Sequence, residues 1–161
     1  MTAITDNSPL SALAEIGHLG VLRELFGMVI VPETVARESK HPRAPVPLRS
    51  FMLNPPSWLQ IVADPMLLPE TATLDPGESA AISLAWIRLP DVLLIVDDLP
   101  ARHLSAALGI RHIGTAGLLL LAAQRGLIDF ESSMAKLQAT RFRLATRIVE
   151  ELRIKLRTQK P

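Results

Sequence analysis

Five acidic residues carry the chemical promise of this chain: Asp6, Glu38, Glu78 and the doublet Asp97-Asp98. Carboxylates brought together repel one another, and removing them from water raises the cost of keeping them ionised. A bound divalent cation relieves both strains. The donors are all oxygen, since the sequence has no cysteine and no tight histidine pair, and oxygen donors suit Mg²⁺ or Mn²⁺ rather than zinc. Such an ion lowers the pKa of a bound water and stabilises charge on a phosphate during in-line displacement. Plainer roles stay open beside this one. Asp6 can cap a helix, Glu78 can complement the positive end of a helix dipole, and Glu38 can be an ordinary exposed helix residue. The doublet follows an all-apolar run directly and is the hardest to assign to packing.

The elements that must position these acids follow from local pattern. Residues 2–5 suit a short strand. Asp6, Asn7, Ser8 and Pro9 then read as a helix start, and Leu10, Leu13, Ala14 and Ile16 supply apolar spacing up to Gly17. A short helix is expected over 19–26, a buried strand over 28–31 broken by Pro32, and a helix over 33–39. Strand, helix and strand in that order begin a parallel α/β sheet. Asp75-Pro76-Gly77-Glu78 opens a helix over 79–88, whose Ala80, Ala81, Leu84 and Ala85 form a small-residue face for close packing on a sheet. The apolar run 92–96 reads as a central strand covered on both faces. A helix near 100–108, a strand at 111–113 and an apolar helix from Gly114-Thr115 through 125 come next. Residues 131–160 read as two helices, the last one basic. Residues 41–76 hold eight of the 13 prolines. They are expected to be mainly loop, with a short strand at 58–62 and one turn of helix around 48–53.

In open parallel sheets ligands bind beyond the carboxyl ends of the strands. Asp6 follows the first strand and Asp97-Asp98 the central one. Glu38 lies on the helix after the second strand, and Glu78 lies in the first turn of the helix leading to the central strand. All can reach one edge.

A length of 161 residues with 48 % apolar content fits a single domain over 1–161, with C-terminal helices at 131–161. No apolar run approaches the roughly 18 residues that span a bilayer, and no cationic stretch precedes an apolar one at the N-terminus. A cytoplasmic protein without membrane contact is expected. The net charge of +1 conceals segregation: residues 1–100 hold 6 Lys/Arg against 12 Asp/Glu, and residues 101–161 hold 11 against 4. An acidic part suits a cation and a basic part attracts phosphates, unless the solvated helix faces merely differ in sign. Arg141, Arg143, Arg147, Arg153, Lys155 and Arg157 offer either an RNA-facing surface or a solvated one. Arg102 pairs with Asp98 four residues earlier or steers RNA. Thr115 contacts phosphate or caps its helix, and His103 and His112 read as surface or strand-end residues. Aromatic content of 4 % without tyrosine offers no stacking platform for bases.

Five segments in order carry a family resemblance: Thr5-Asp6-Asn7-Ser8-Pro9-Leu10, Val29-Ile30-Val31-Pro32-Glu33-Thr34-Val35-Ala36-Arg37-Glu38, Asp75-Pro76-Gly77-Glu78-Ser79-Ala80-Ala81-Ile82, Leu94-Ile95-Val96-Asp97-Asp98-Leu99-Pro100-Ala101-Arg102 and Gly109-Ile110-Arg111-His112-Ile113-Gly114-Thr115-Ala116-Gly117. Over residues 3–150 the chain resembles the PIN-domain family, in its branch of PIN-like nucleic-acid-binding proteins. The resemblance implies a three-layer α/β/α sandwich around a parallel sheet of about five strands, with a helical C-terminus. It further implies acids that bind Mg²⁺ or Mn²⁺ for cleavage of single-stranded RNA. Asp6 matches the family's first-strand aspartate, Glu38 its second acid and Glu78 the third, where many relatives carry aspartate. Asp97 or Asp98 matches the fourth. Asp6, Glu78, Asp97 and Asp98 are then metal ligands, Glu38 ligates or orients waters, and Ser8, Arg102 and Thr115 are candidate substrate contacts. Many relatives, including the VapC type, are toxins that pair as homodimers and have antitoxin partners. Two departures stand out: Asn7 replaces the serine or threonine common after the first aspartate, and a proline-rich insert occupies 41–56. The alternative is a catalytically silent PIN-like module that binds nucleic acid or protein. A phosphorylated receiver domain also uses an acidic pair on a parallel sheet. It places that pair near the first strand, however, and needs a lysine where this chain has Arg111 and His112.

Overall fold

Short runs of branched apolar residues form the five strands β1 (Thr2–Thr5), β2 (Val29–Pro32), β3 (Leu59–Val62), β4 (Val92–Ile95) and β5 (His112–Ile113). The structure is a computed structural model that describes residues 1–158; the end of the expected basic helix, 159–160, and Pro161 lie outside the described residues. The strands pair in the order β3-β2-β1-β4-β5, parallel throughout. Side chains alternate between the two faces, as the pleat requires. Ala3, Val29, Val31 and Ile95 enter one core, while Ile4, Ile30, Val92, Leu94 and Val96 enter the other.

Helices cover both faces. The first core is closed by α1 (Asn7–Glu15), α2 (Gly20–Phe26), α4 (Val46–Leu53), α7 (Thr115–Gln124), α8 (Phe130–Gln138) and α9 (Thr146–Thr158). The second is closed by α5 (Pro76–Trp86) and α6 (Leu99–Ala107). The short α3 (Glu33–Ser39) touches α1 and α4 from one layer and α5 from the other. The expected three-layer α/β/α sandwich is what forms.

Topology decides where the site falls. The chain lays β1, β2 and β3 side by side in one direction, then crosses back through α5 to set β4 on the far side of β1. Right-handed crossovers place the helices leaving β1 and entering β4 on opposite faces, which opens a crevice at the carboxyl ends of these two strands. Thr5 pairs with Ile95, and the Asp6 amide donates to the Ile95 carbonyl at 3.1 Å. The chain therefore leaves β1 and β4 side by side, and each carries an acid out.

The proline-rich region is more regular than its composition suggests. Residues 46–53 form α4, a helix of eight residues, where a single turn was expected. Pro45 occupies the N-cap and Pro47 the first turn, where a missing N–H breaks no helical bond. Leu48 and Met52, four apart, are buried. Pro32 likewise ends β2 instead of interrupting it: it pairs with Val62, is buried, and N-caps α3. Residues 63–75 contain only a 3-10 turn at Pro69–Thr71, held to α5 by the Leu68 amide donating to Ser83 Oγ (2.9 Å) and Ser79 Oγ donating to the Thr71 carbonyl (3.0 Å). Among the described residues, no helix is long and apolar enough to cross a membrane.

If α4 is packed as described, Leu48→Ala lowers unfolding stability in urea by about 2–4 kcal/mol. Leu53→Ala, at a position 69 % exposed, changes it by less than about 0.5 kcal/mol. Equal effects at both positions would contradict the helix.

Candidate active site

Each acid named from the sequence lies at the start of a helix or reaches one. Asp6 occupies the N-cap position of α1, but its side chain makes no capping hydrogen bond. It is 3 % exposed. Burial pushes its pKa up to about 6; the nearby charges of Glu38 and Asp97 add to the rise, while the amides of Asn7 and Ser8 oppose it. Of the roles open to Asp6, capping is not the one it performs.

Glu38 reaches from α3 to the first turn of α5, where the Gly77 amide donates to its Oε1 at 3.1 Å. A carbon at position 77 would meet the Glu38 carboxylate in its present place and turn that flexible side chain aside, so glycine leaves room for the acid to sit against the helix backbone. Burial raises the Glu38 pKa, and the Gly77 amide partly offsets it. Glu78 forms a capping box with Asp75, whose amide donates to Glu78 Oε2 at 3.3 Å. The plain role for Glu78 is thus real. Even so, burial first, and then the charges of Asp6 and Asp98, push its pKa up to about 7.

The doublet divides. Asp97 accepts from both the amide and the hydroxyl of Thr115, each at 2.7 Å, and so holds the first residue of α7 from outside the helix. Burial raises its pKa, the two Thr115 bonds lower it, and the Arg102 charge lowers it further. Asp98 caps its own helix by accepting from the Ala101 amide at 3.0 Å. Arg102 forms no ion pair with Asp98 among the described residues, and its charge acts on Asp97. Thr115, a candidate phosphate contact from sequence, is fully buried with its hydroxyl and amide both committed to Asp97.

The structure gathers some of these acids and separates others. Asp6, Glu38, Glu78 and Asp75 line one cavity of about 280 Å³, together with Asn7, Ser8 and Pro76. Ser8 lines the same cavity and is exposed. Asp97 opens instead onto a second cavity, and Asp98 lines neither. Among the described residues, no three acidic or histidine side chains approach closely enough to form a ready metal shell. The five acids have no basic group within ion-pair distance among the described residues. The chemistry of the donors fits a hard dication, and Mg²⁺ keeps several waters and takes only one or two carboxylates directly.

Sequence reasoning missed several positioning groups. Ser39 Oγ lies 2.8 Å from both Asn7 Oδ1 and the Val35 carbonyl, fastening the end of α3, beside Glu38, to the turn that carries Asp6. The signal was present as a polar residue directly after each acid. Asp75 and Gly77 were visible only as a helix start. The C-terminal cations also divide: Arg153 is held by Glu131 and Glu150, and Arg147 by Glu151, whereas Arg143 and Lys155 line the cavity shared by Asp97 and Arg102. His103 is exposed and His112 sits on β5, with Nδ1 3.1 Å from the Ile110 carbonyl.

Comparison with known proteins agrees with this fold. A family model described as a PIN domain matches residues 2–158. A solved PilT N-terminus domain protein from the hyperthermophilic archaeon Sulfolobus solfataricus has a similar fold, with a TM-score of 0.52 at 14 % identity over 90 % of this chain and 100 % of that one. No match is found among curated proteins.

Two outcomes follow from the packing and charge of these acids. Gly77→Ala turns the flexible Glu38 carboxylate aside, so it lowers stability by no more than about 1 kcal/mol in denaturant unfolding, and adding Glu38→Ala recovers the loss, because the displaced group is then gone. Failure of the second change to recover any stability would show that the close approach is not to Glu38. The pKa values of Asp6 and Glu78 are raised from 3.8 and 4.5 to about 6 and about 7. The folded chain thus binds their protons more tightly than the unfolded chain, and this stabilisation is lost as pH rises through those values. In chelator, Tm should fall between pH 5 and pH 8. Asp6→Asn should raise stability at pH 8 by on the order of 2 kcal/mol and flatten the profile; a Tm that climbs over this interval would contradict the raised pKa values.

Proposed function

The chain belongs to the PIN-domain family, whose members are generally nucleases that use divalent metals, and on that premise we propose a divalent-metal-dependent endoribonuclease acting on single-stranded RNA. The observation that carries the reading is the cavity of Asp6, Glu38 and Glu78 beside the β1/β4 crevice. There, buried acids of one sign have raised pKa values and no cationic partner within ion-pair distance among the described residues. Like charges persist in such a place when something positive offsets them in the working state.

When bound, a Mg²⁺ or Mn²⁺ ion supplies an acidified water and stabilisation of charge on phosphate. Asp6 is the acid best placed to hold it directly, being buried and free of a capping duty. Glu78 and Asp97 both act on Asp6 through their charge. Glu38, fixed by a helix amide and lining the same cavity, orients waters, and Asp98, which caps its own helix, adds negative charge near Glu78. Ser8, exposed and lining the cavity, meets the substrate phosphate. No protein nucleophile is needed. The reading extends to the toxin of a toxin–antitoxin pair that works as a homodimer, and family membership supports this extension.

One observation favours a second reading. Glu38, Glu78, Asp97 and Asp98 all already accept from backbone amides at helix starts. Acids with that duty survive without any catalytic task, and the chain would then be a silent PIN-like module that binds nucleic acid or protein.

Asp6→Asn separates the two. It should reduce Mn²⁺- or Mg²⁺-dependent cleavage of single-stranded RNA by on the order of 100-fold or more, with an unchanged circular dichroism spectrum. Equal activity in the variant sinks the nuclease reading. Titration calorimetry should also show Mn²⁺ uptake by the wild-type chain and weaker uptake by the variant; no uptake at millimolar metal favours the silent module.

A further inference from the structure

The acidic cavity does not stand alone. It shares Asn7 and Glu38 with a cavity of about 330 Å³ that runs under His41 and Arg43. Through Ser8 it also adjoins a smaller hollow of about 190 Å³ lined by Thr140 and Phe142, which meets the first cavity at Ser11. Phe142 in turn borders a cavity of about 380 Å³, where Arg102, Arg143 and Lys155 stand beside Asp97. Shared lining residues thus make the four hollows neighbours, a broken groove that meets around the start of α1.

Charge along the groove changes sign twice. The middle holds acids only. One end holds Arg43, exposed and in no ion pair among the described residues. The other end holds Arg102, Arg143 and Lys155, likewise in no ion pair there, alongside the carboxylates of Asp97 and Glu151, the latter engaged by Arg147. Arg153, the neighbouring cation of α9, is held by glutamates and is not offered to a ligand in the same way. A polyanion carrying one phosphate per residue matches cations at both ends of a path, provided its middle phosphate reaches the acids with a cation between them. A single strand is flexible enough to pass from one hollow to the next, whereas a duplex is stiff over far longer distances.

We infer that a single strand of RNA lies along this groove, with its central phosphate over Asp6 and Glu78. Flanking phosphates meet Arg43 on the α3–α4 side and Arg143 and Lys155 on the α9 side. The position of the central phosphate rests on the nuclease reading, whereas the path itself rests on the groove and its cations alone. Arg43, Arg143 and Lys155 are substrate-positioning residues, and none touches the reacting atoms.

The test reads binding without cleavage. Fluorescence anisotropy with a labelled single-stranded RNA of about 12 nucleotides, in Ca²⁺ and with the strand confirmed intact on a gel, gives affinity and its salt dependence for the full chain. Arg43→Glu alone and Arg143→Glu with Lys155→Glu should each weaken binding by about tenfold. Each should also flatten the slope of log K against log salt by about 0.7 for every phosphate that is no longer neutralised. Arg23→Glu on α2, which borders none of the four hollows, makes the same charge change as Arg43→Glu and should leave both readouts near wild type. A duplex of the same length should bind more weakly and respond less to the groove variants. The inference is overturned if no binding is seen up to about 100 µM RNA, if Arg43→Glu acts no more strongly than Arg23→Glu, or if duplex and single strand respond alike. Groove-dependent binding without Mn²⁺-dependent cleavage would leave the path standing and remove the nuclease reading.

Discussion

Backbone amides at the starts of helices, held next to carboxylates that leave the ends of parallel strands, are the interaction on which this molecule is built. A helix begins with N–H groups that lack partners inside it, and a parallel sheet delivers every strand end to one edge. The chain joins the two facts repeatedly. Asp97, two residues past β4, grips the amide and hydroxyl of Thr115 at the start of α7 (2.7 Å each), and Asp64, two residues past β3, grips those of Thr34 at the start of α3 (3.0 and 2.6 Å). In both cases the helix held follows the neighbouring strand. Glu38 on Gly77 and Asp98 on Ala101 repeat the bond without a hydroxyl. Such clamps tie strand order to helix position and fix the acids as they do so.

The arrangement is costly on its own. Asp6, Glu38, Glu78 and Asp97 all have raised pKa values, with burial the leading cause in each case. Each would be easier to keep ionised in water. The two apolar cores on either side of the sheet hold the strands and helices that carry them. Asp6 bears the strain most plainly, since it is buried between charges of its own sign and has no helix cap to make.

Much of this was legible in the residues themselves. The alternation of Ala3 and Ile4, and of Val29, Ile30 and Val31, announces strands with two covered faces, and acids at the ends of β1 and β4 announce the edge that matters. What the residues could not show is relative placement. Whether Asp97 or Asp98 turns inward depends on the register of β4 with β5 and on the nearness of Thr115, eighteen positions away. The partnership of Glu38 with Gly77 spans 39 positions and exists only because α3 touches α5. Prolines misled over 46–53 because their effect depends on position within a turn: Pro45 and Pro47 start α4 instead of preventing it. The residues point to one cleft for all five acids, whereas Asp6, Glu38 and Glu78 share a cavity, Asp97 lines another and Asp98 lines neither. That no three of them form a finished coordination shell was not readable either, because it turns on side-chain separations that sequence spacing does not constrain.

The close fit of Glu38 against Gly77 reaches beyond the site. The carboxylate occupies the space that one extra carbon at 77 would take, so positions 38 and 77 are coupled as the sequence diverges. A bulkier residue at 77 turns the Glu38 side chain aside or calls for a shorter acid, and each choice moves the carboxylate relative to Asp6. Among relatives, the identity of one position should therefore forecast that of the other, and a mismatched pair would mark a lineage in which this corner of the sheet has been given up.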